Sequence, residues 1–363
     1  MKKNVLEIAG MSSRYGIENF LMNILREIDN DVVQLHFLSP TEGPYDDEIR
    51  SFGCSIFRIP KLSHPFLHFK VLSKLLKKHP EIDTVHIHGN TAIGCLDVLL
   101  LKKVGVKRII VHSHNDSCGS LRGKILHYIS KTLISNCITE RLCCSEAAGR
   151  WMFGSNNNFT VIPNAIDLNK FKYSKDKACL IRKKYSIQNC RVIGHVGRME
   201  QQKNHLFILK VFQLVFKEHP EARLMLVGNG SLKDSLKIIA RKLEIESGII
   251  WVDECDNVSD YLSAMDVFLF PSLWEGLGIS LVEAQAAGLK CLVSEVIKNE
   301  VCVTDLIYKK SLSDSKEEWA NNIWDMVRLE YCRINPVIIN QLIKSKYDIH
   351  ELGKYMQEFY LGK

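Results

Sequence analysis

Two glutamates, Glu275 and Glu283, bracket the glycines Gly276 and Gly278 within the stretch Pro271–Ala284. An apolar run precedes this stretch and helical spacing follows it, so it reads as a strand-to-helix turn. Glycine lets the backbone come close to a ligand. The free N–H groups and dipole of a helix start favour a phosphate. Glu275 precedes the helix and reaches hydroxyls beside such a phosphate, and Glu283 lies about two turns in. Each carboxylate can accept two hydroxyls, so the pair suits a polyhydroxylated, phosphorylated ligand. Either glutamate alone would read as a capping or surface residue; the pairing at a strand-to-helix switch carries the assignment.

A second stretch, Gly194–Asn204, ends another apolar strand with Arg198 and Lys203 straddling the entry to a helix. A bidentate guanidinium and an ammonium point charge fit a diphosphate, although on its own this would read as a solvated basic loop. The turn Gly10–Asn19 places Gly16 at a helix start, where a phosphate-approach glycine and an ordinary turn glycine look alike. Histidines pair as His86-x-His88 and His112-x-His114, each pair on one face of a strand end. Four imidazoles are enough for a metal, but no Asp, Glu or His partner stands nearby at helical spacing. His86 and His88 therefore read as core or rim residues, His114 as exposed to a cleft, and no metal is expected. Gly228-x-Gly230 with Asp253 resembles half of a dinucleotide fingerprint, but Lys233 stands where the third glycine belongs, so a glycine-rich turn is preferred.

These residues must be held by strand ends. Apolar runs at Val5–Ala9, Val32–Leu38, Ser55–Ile59, Thr84–His88, Arg108–His112 and Cys137–Cys144 alternate with amphipathic stretches, the pattern of a parallel sheet covered on both faces. It restarts at Arg191–Val196 and continues through Arg223–Val227, Ile249–Val252, Val267–Pro271 and Cys291–Ser294; beyond Ser294 the strands fade. The expectation is α/β: two Rossmann-like parallel-sheet domains facing across a cleft, residues 1–168 and residues 169–345, with His350–Tyr360 reading as a terminal helix. The 363 residues are 46% hydrophobic and 25% charged, which excludes disorder and coiled coil. The net charge of +7 is too small and unclustered for nucleic acid. Twelve cysteines without a Cys-x-x-Cys or a leader segment read as reduced, cytosolic thiols. No apolar run is long enough to span a membrane.

Taken together, the Glu275-x7-Glu283 pair resembles the retaining GT-B glycosyltransferases of family GT4, the glycosyl transferases group 1, and above all their capsular and exopolysaccharide branch. Asp83–His88 is similar to that family's DVVHxH strand, Arg108–Asn115 to its HSHN segment, and Cys144–Gly149 and Val161–Asp167 to its interdomain signatures. Gly194–Asn204 matches its glycine-arginine, lysine-asparagine loop. The resemblance implies roles. Arg198 and Lys203 would hold the donor diphosphate, Glu283 the ribose, and Glu275 the transferred sugar. The amides of Leu277 and Gly278 would cap the phosphate, Gly16 would admit it to the first domain, and His114 would contact the donor sugar. The donor would be a nucleoside-diphosphate sugar, with UDP as the expected carrier, and the acceptor a lipid-linked or oligosaccharide chain. No cofactor or metal would be needed. Tyr15 replaces the first glycine of the usual pair and would shape or crowd the pocket; Asp253-Glu254 replaces a glycine and leaves the base open. The alternatives are an NAD-type oxidoreductase using Gly228, Gly230 and Asp253, a non-catalytic sugar-nucleotide scaffold, and a metal hydrolase using the four histidines.

One stretch speaks to location. Phe66–Lys78 sets Phe66, Phe69, Val71, Leu72, Leu75 and Leu76 against Lys70, Lys74, Lys77 and Lys78. An amphipathic basic helix either covers a sheet or docks on an anionic bilayer. The expectation is a cytoplasmic enzyme in peripheral contact with the inner face of the plasma membrane.

Overall fold

A computed structural model describes residues 2–12, 16–118, 120–155, 158–255, 257–329 and 331–363. The chain divides into two compact units, Met1–Ile166 with Asp348–Lys363, and Asp167–Tyr347.

The first unit is built on a seven-stranded parallel sheet: β1 (Lys3–Ile8), β2 (Val33–Leu38), β3 (Ile56–Phe57), β4 (Ile82–Gly89), β5 (Arg108–Ser113), β6 (Glu140–Cys143) and β7 (Thr160–Val161), in the order β3-β2-β1-β4-β5-β6-β7. Side chains alternate between its faces. Leu6, Ile8, Val85, Ile87, Ile109 and Val111 join Leu72, Leu76, Val98 and Leu101 in one buried cluster. Val5 and Ile110 join Phe20, Met22 and Ile24 of the helix Gly16–Glu27 in another, along with Met356 and Tyr360 of the helix Ile349–Leu361. These two helices cross tightly, because a Cβ at Gly353 would come within 2.4 Å of the Glu27 Cβ. Arg108 fastens the end of the last helix, donating from Nη1 to the Tyr360 carbonyl at 2.7 Å and from Nη2 to the Phe359 carbonyl at 2.9 Å. The chain leaves this unit after Ile166 and re-enters at Asp348, and the two positions form a parallel bridge, with Ile349 N–H donating to the Ile166 carbonyl at 3.0 Å.

The second unit carries six parallel strands: β8 (Arg191–Val196), β9 (Ala222–Val227), β10 (Ile249–Val252), β11 (Val267–Phe270), β12 (Lys290–Ser294) and β13 (Ile307–Lys310), in the order β10-β9-β8-β11-β12-β13. Its core packs Ile193, Leu224, Leu226 and Leu269 against Ile208, Phe212, Trp319 and Ile323 from the helices His205–Glu218 and Lys316–Arg328. In each sheet the order reverses beside the unit's first strand, between β1 and β4 and between β8 and β11. Open α/β sheets bind ligands beyond the strand ends at that reversal. β13 lies where the sequence pattern faded: it is an edge strand, and its Tyr308 and Lys309 are exposed. All twelve cysteines are free thiols.

Candidate active site

The loops that follow β8 and β11 flank the reversal in the second unit, and they hold both basic and acidic candidates. Lys203 Nζ lies 2.6 Å from Glu275 Oε1 and 4.6 Å above the Phe270 ring. Gln202 Nε2 donates to the other Glu275 oxygen at 3.1 Å. One backbone and one side-chain bond lace the loops together, Leu273 N–H donating to the Gln202 carbonyl at 2.8 Å and Asn204 Nδ2 to the Pro271 carbonyl at 3.1 Å. Gly197 makes room for the lysine, since a Cβ there would meet the Lys203 stem at 3.1 and 3.2 Å and His195 Nε2 at 3.0 Å. Arg198 is exposed on the same loop.

Gly278 caps the helix Ile279–Ala286 with a left-handed φ of 72°, a conformation that favours glycine. The amides of Leu277 and Gly278 have no acceptor among the described residues, and a Cβ on Gly276 would meet nothing within 4 Å. The loop therefore presents open donors at a helix start. About one turn into this helix, Glu283 is half-buried, and its carboxylate forms no hydrogen bond or ion pair among the described residues. Burial raises its carboxyl to about 7, against the pull of Lys170 and Lys203. An acidic group held unpaired at such a place suits a ligand that brings hydroxyl donors.

Gly228 and Gly230 are consumed by packing. A Cβ on Gly228 would lie 2.3 Å from the Gly197 carbonyl oxygen, and one on Gly230 2.6 Å from that of Met199. Asp253 is paired with Lys233. The half-fingerprint thus packs against the Gly194–Asn204 loop at close range.

In the first unit Gly16 opens the helix Gly16–Glu27, and a Cβ there would meet nothing within 4 Å. Tyr15 lies outside the described residues. The histidines converge on one face of the sheet. His88 Nδ1 lies 2.9 Å from His114 Nε2, and His88 Nε2 lies 2.8 Å from Glu7 Oε2. Tyr360 Oη donates to Glu7 Oε1 at 2.7 Å and lies 2.8 Å from His86 Nδ1. Burial, with neighbouring imidazoles, holds His112 and His114 well below the usual histidine range and His88 at about 4, so all three are neutral at pH 7. His114 is half-exposed as a residue, but both ring nitrogens turn inward, one onto His88 and the other buried. Sequence reasoning missed Glu7: a carboxylate partner was sought at helical spacing, whereas Glu7 faces His86 across the β1–β4 register.

The surface differs from expectation. The helix Pro65–Lys78 turns Leu72 and Leu76 into the core and exposes only Phe66 and Leu67 of its large apolar side chains. The helix Leu121–Ile134 does the reverse, burying His127 and Ser130 while Leu121, Ile125, Ile129 and Leu133 stand more than half exposed.

Comparison with known proteins settles the family. The Glycosyltransferase Family 4 model matches residues 15–170, and the glycosyl transferases group 1 model matches residues 179–330. EpsF of Bacillus subtilis (strain 168), named as a glycosyltransferase, is 31% identical over 335 residues, covering 89% of this chain and 87% of its own. The chain is a family 4 glycosyltransferase. An Escherichia coli relative named UDP-Gal:alpha-D-GlcNAc-diphosphoundecaprenol alpha-1,3-galactosyltransferase is 27% identical over 79% of this chain and 78% of its own. The fold of this glycosyltransferase is GT-B: the crystal structure of Anabaena Alr3699/HepE in complex with UDP and glucose superposes with a TM-score of 0.77, at 17% identity, over 99% of each chain.

Proposed function

We propose that this glycosyltransferase moves a sugar from a UDP-sugar to a lipid-linked or oligosaccharide acceptor in surface-polysaccharide assembly, with retention of anomeric configuration. The second unit would bind the donor and the first the acceptor. The observation that carries the reading is the Lys203–Glu275 pair set beside the acceptor-free amides of Leu277 and Gly278. In the reaction the bond from sugar C1 to the diphosphate oxygen breaks, and its electron pair leaves with UDP. The acceptor oxygen bonds to C1 and passes its proton to the departing diphosphate oxygen. Charge builds on the diphosphate, where Arg198, Lys203 and the start of the Ile279–Ala286 helix would stabilise it. Glu275, gripped by Lys203 and Gln202, would accept hydroxyls of the departing sugar, Glu283 would accept those of the ribose, and the His114 turn would border the sugar.

The acceptor class follows two leads: the E. coli relative's name contains a diphosphoundecaprenol, and the helix Leu121–Ile134 carries an exposed Leu121, Ile125, Ile129 and Leu133 stripe together with Arg122 and Lys124. An apolar stripe flanked by cations fits an anionic bilayer, so peripheral membrane contact belongs to the same reading. The test is a panel of UDP-sugars, scored for hydrolysis without acceptor and by NMR for product configuration. UDP but not NAD should raise the melting temperature. Protection by NAD alone, or an inverted product, would overturn the reading.

A further inference from the structure

The loop after β11 carries a large aromatic side chain beside Glu275. The chain has five tryptophans. Trp319 and Trp324 are buried, Trp151 and Trp251 are half-buried, and Trp274 is 53% exposed. Among the described residues no hydrogen bond, ring stack or cation contact engages its indole. The backbone around it is nevertheless pinned. The Pro271 carbonyl accepts from Asn204 Nδ2 at 3.1 Å and the Ser272 carbonyl from Ser294 Oγ at 2.6 Å, while Leu273 N–H donates to the Gln202 carbonyl at 2.8 Å. On the other side, Glu275 is held through both carboxylate oxygens by Lys203 and Gln202. Pro271 and Ser272 are buried, so the chain passes from core to surface within a few residues and holds an indole out on fixed backbone. This happens at the strand ends beside the reversal of sheet order.

A single exposed tryptophan on a helix flank needs no explanation. Trp274 differs in its company. A pyranose carries hydroxyls around its rim and C–H groups on its faces, so recognition takes polar partners for the rim and a flat apolar surface for a face. Residues 274–278 supply a carboxylate at Glu275, acceptor-free amides at Leu277 and Gly278, and the indole. Tryptophan gives wide contact at little cost in conformational freedom, because only two χ angles are fixed. Its Nε1–H adds a donor for a rim hydroxyl. We propose that Trp274 is a stacking platform for the C–H face of a pyranose and thereby sets which sugars the enzyme prefers. The inference rests on the transfer reading and adds the apolar half of sugar recognition to it. The pyranose is the one leaving UDP or the one receiving it; the chemistry is shared, and binding measurements separate the two.

The test uses the full chain and its own fluorescence. Wild type, Trp274→Phe and Trp274→Ala are titrated with UDP, with UDP-glucose and UDP-galactose, and, at saturating UDP, with octyl glycosides of glucose, galactose and N-acetylglucosamine. Because the side chain is exposed, both variants should melt within a few degrees of wild type. UDP should bind all three proteins within about twofold. A UDP-sugar or a glycoside should change the wild-type emission beyond what UDP does, and the extra change should vanish in both variants, which lack the indole. By calorimetry, affinity for that sugar should fall about tenfold in Trp274→Ala and about threefold or less in Trp274→Phe, which keeps a ring. A response to UDP-sugars assigns the transferred sugar, and a response to glycosides the acceptor. Equal losses for UDP and UDP-sugars, an alanine variant no weaker than the phenylalanine one, or no sugar-dependent change in either arm would each overturn the platform. With UDP-sugar hydrolysis intact, such a result sinks the platform alone; a wild type that binds no UDP sinks the transfer reading first.

Discussion

Glu283 sets stability against binding. Its carboxyl stands at about 7 in the folded chain, against an ordinary 4.5, because burial disfavours the charge. Below about pH 4.5 the group is protonated whether folded or not and costs nothing. As pH rises through about 7, folding holds back an ionisation that the unfolded chain would gain, and stability is lost. Glu283→Gln should therefore stabilise the free protein by about 1–3 kcal/mol at pH 8 and change little at pH 4.5, as read by denaturant melts. The same substitution should weaken UDP several-fold and flatten the rise in UDP affinity expected of the wild type as pH passes 7; calorimetric titration at two pH values checks this. Glu275 should behave differently. It touches the transferred sugar in this reading, so Glu275→Gln should lower kcat by about 10²-fold or more while UDP affinity shifts less than threefold. Matching losses of UDP affinity in both variants would erase that division of labour. The acidic pair was visible in sequence because Glu275 sits on a strand-to-helix turn and Glu283 in the helix that the turn opens. Glu7 was not, because its partners lie across a sheet and parallel pairing leaves no local spacing to read.

The loop after β8 depends on one missing methyl group. Gly197→Ala would press on the Lys203 stem and His195, turning Lys203 away from Glu275. The expected result is a several-fold higher KM for the donor, with a melting temperature within a few degrees of wild type, measured by initial rates and calorimetry. The helix Pro65–Lys78 is anchored differently, by a buried histidine. His68 Nε2 lies 2.7 Å from Asp97 Oδ1, and Nδ1 lies 2.6 Å from the Pro60 carbonyl. Burial pulls this imidazole down, but both acceptors outweigh it and raise it above the ordinary 6.5. The ion pair's contribution is thus complete below about pH 6.5 and fades as pH climbs through the raised value. Asp97→Asn should cost about 2–4 kcal/mol at pH 6 and less at pH 9. The strand ends that carry the site were legible because both sheets read as continuous apolar runs. The edge strand β13 was not, since Ile307-Tyr308-Lys309-Lys310 has neither the length nor the apolar run of a buried strand. The helix Leu121–Ile134 misled in another way: pattern reading assumes that the apolar face is buried, and here His127 and Ser130 take that place.

Vesicle sedimentation separates the two candidate membrane helices. Changing Leu121, Ile125 and Ile129 to Ser should abolish binding to anionic vesicles, whereas Lys74→Glu with Lys78→Glu should reduce it only modestly, and both effects should shrink at high salt. Loss through the lysine variant alone would return the contact to Pro65–Lys78. The pairing of Ile166 with Asp348 bears on how the chain is made. The first unit is complete only when its last helix docks, because Met356 and Tyr360 belong to its core and Gly353 to a close helix crossing. On a ribosome, the opening 166 residues must wait while the whole second unit, Asp167–Tyr347, is synthesised. At about 5–20 residues per second that delay is roughly ten to forty seconds. During it, one side of the first sheet has the helix Gly16–Glu27 but not Met356 or Tyr360, so Glu7 and His86 lack the partner that Tyr360 gives them, while the later-made unit already has every strand it needs. The order of completion therefore runs against the order of synthesis, and the nascent first half is the part of this enzyme for which a chaperone would matter most.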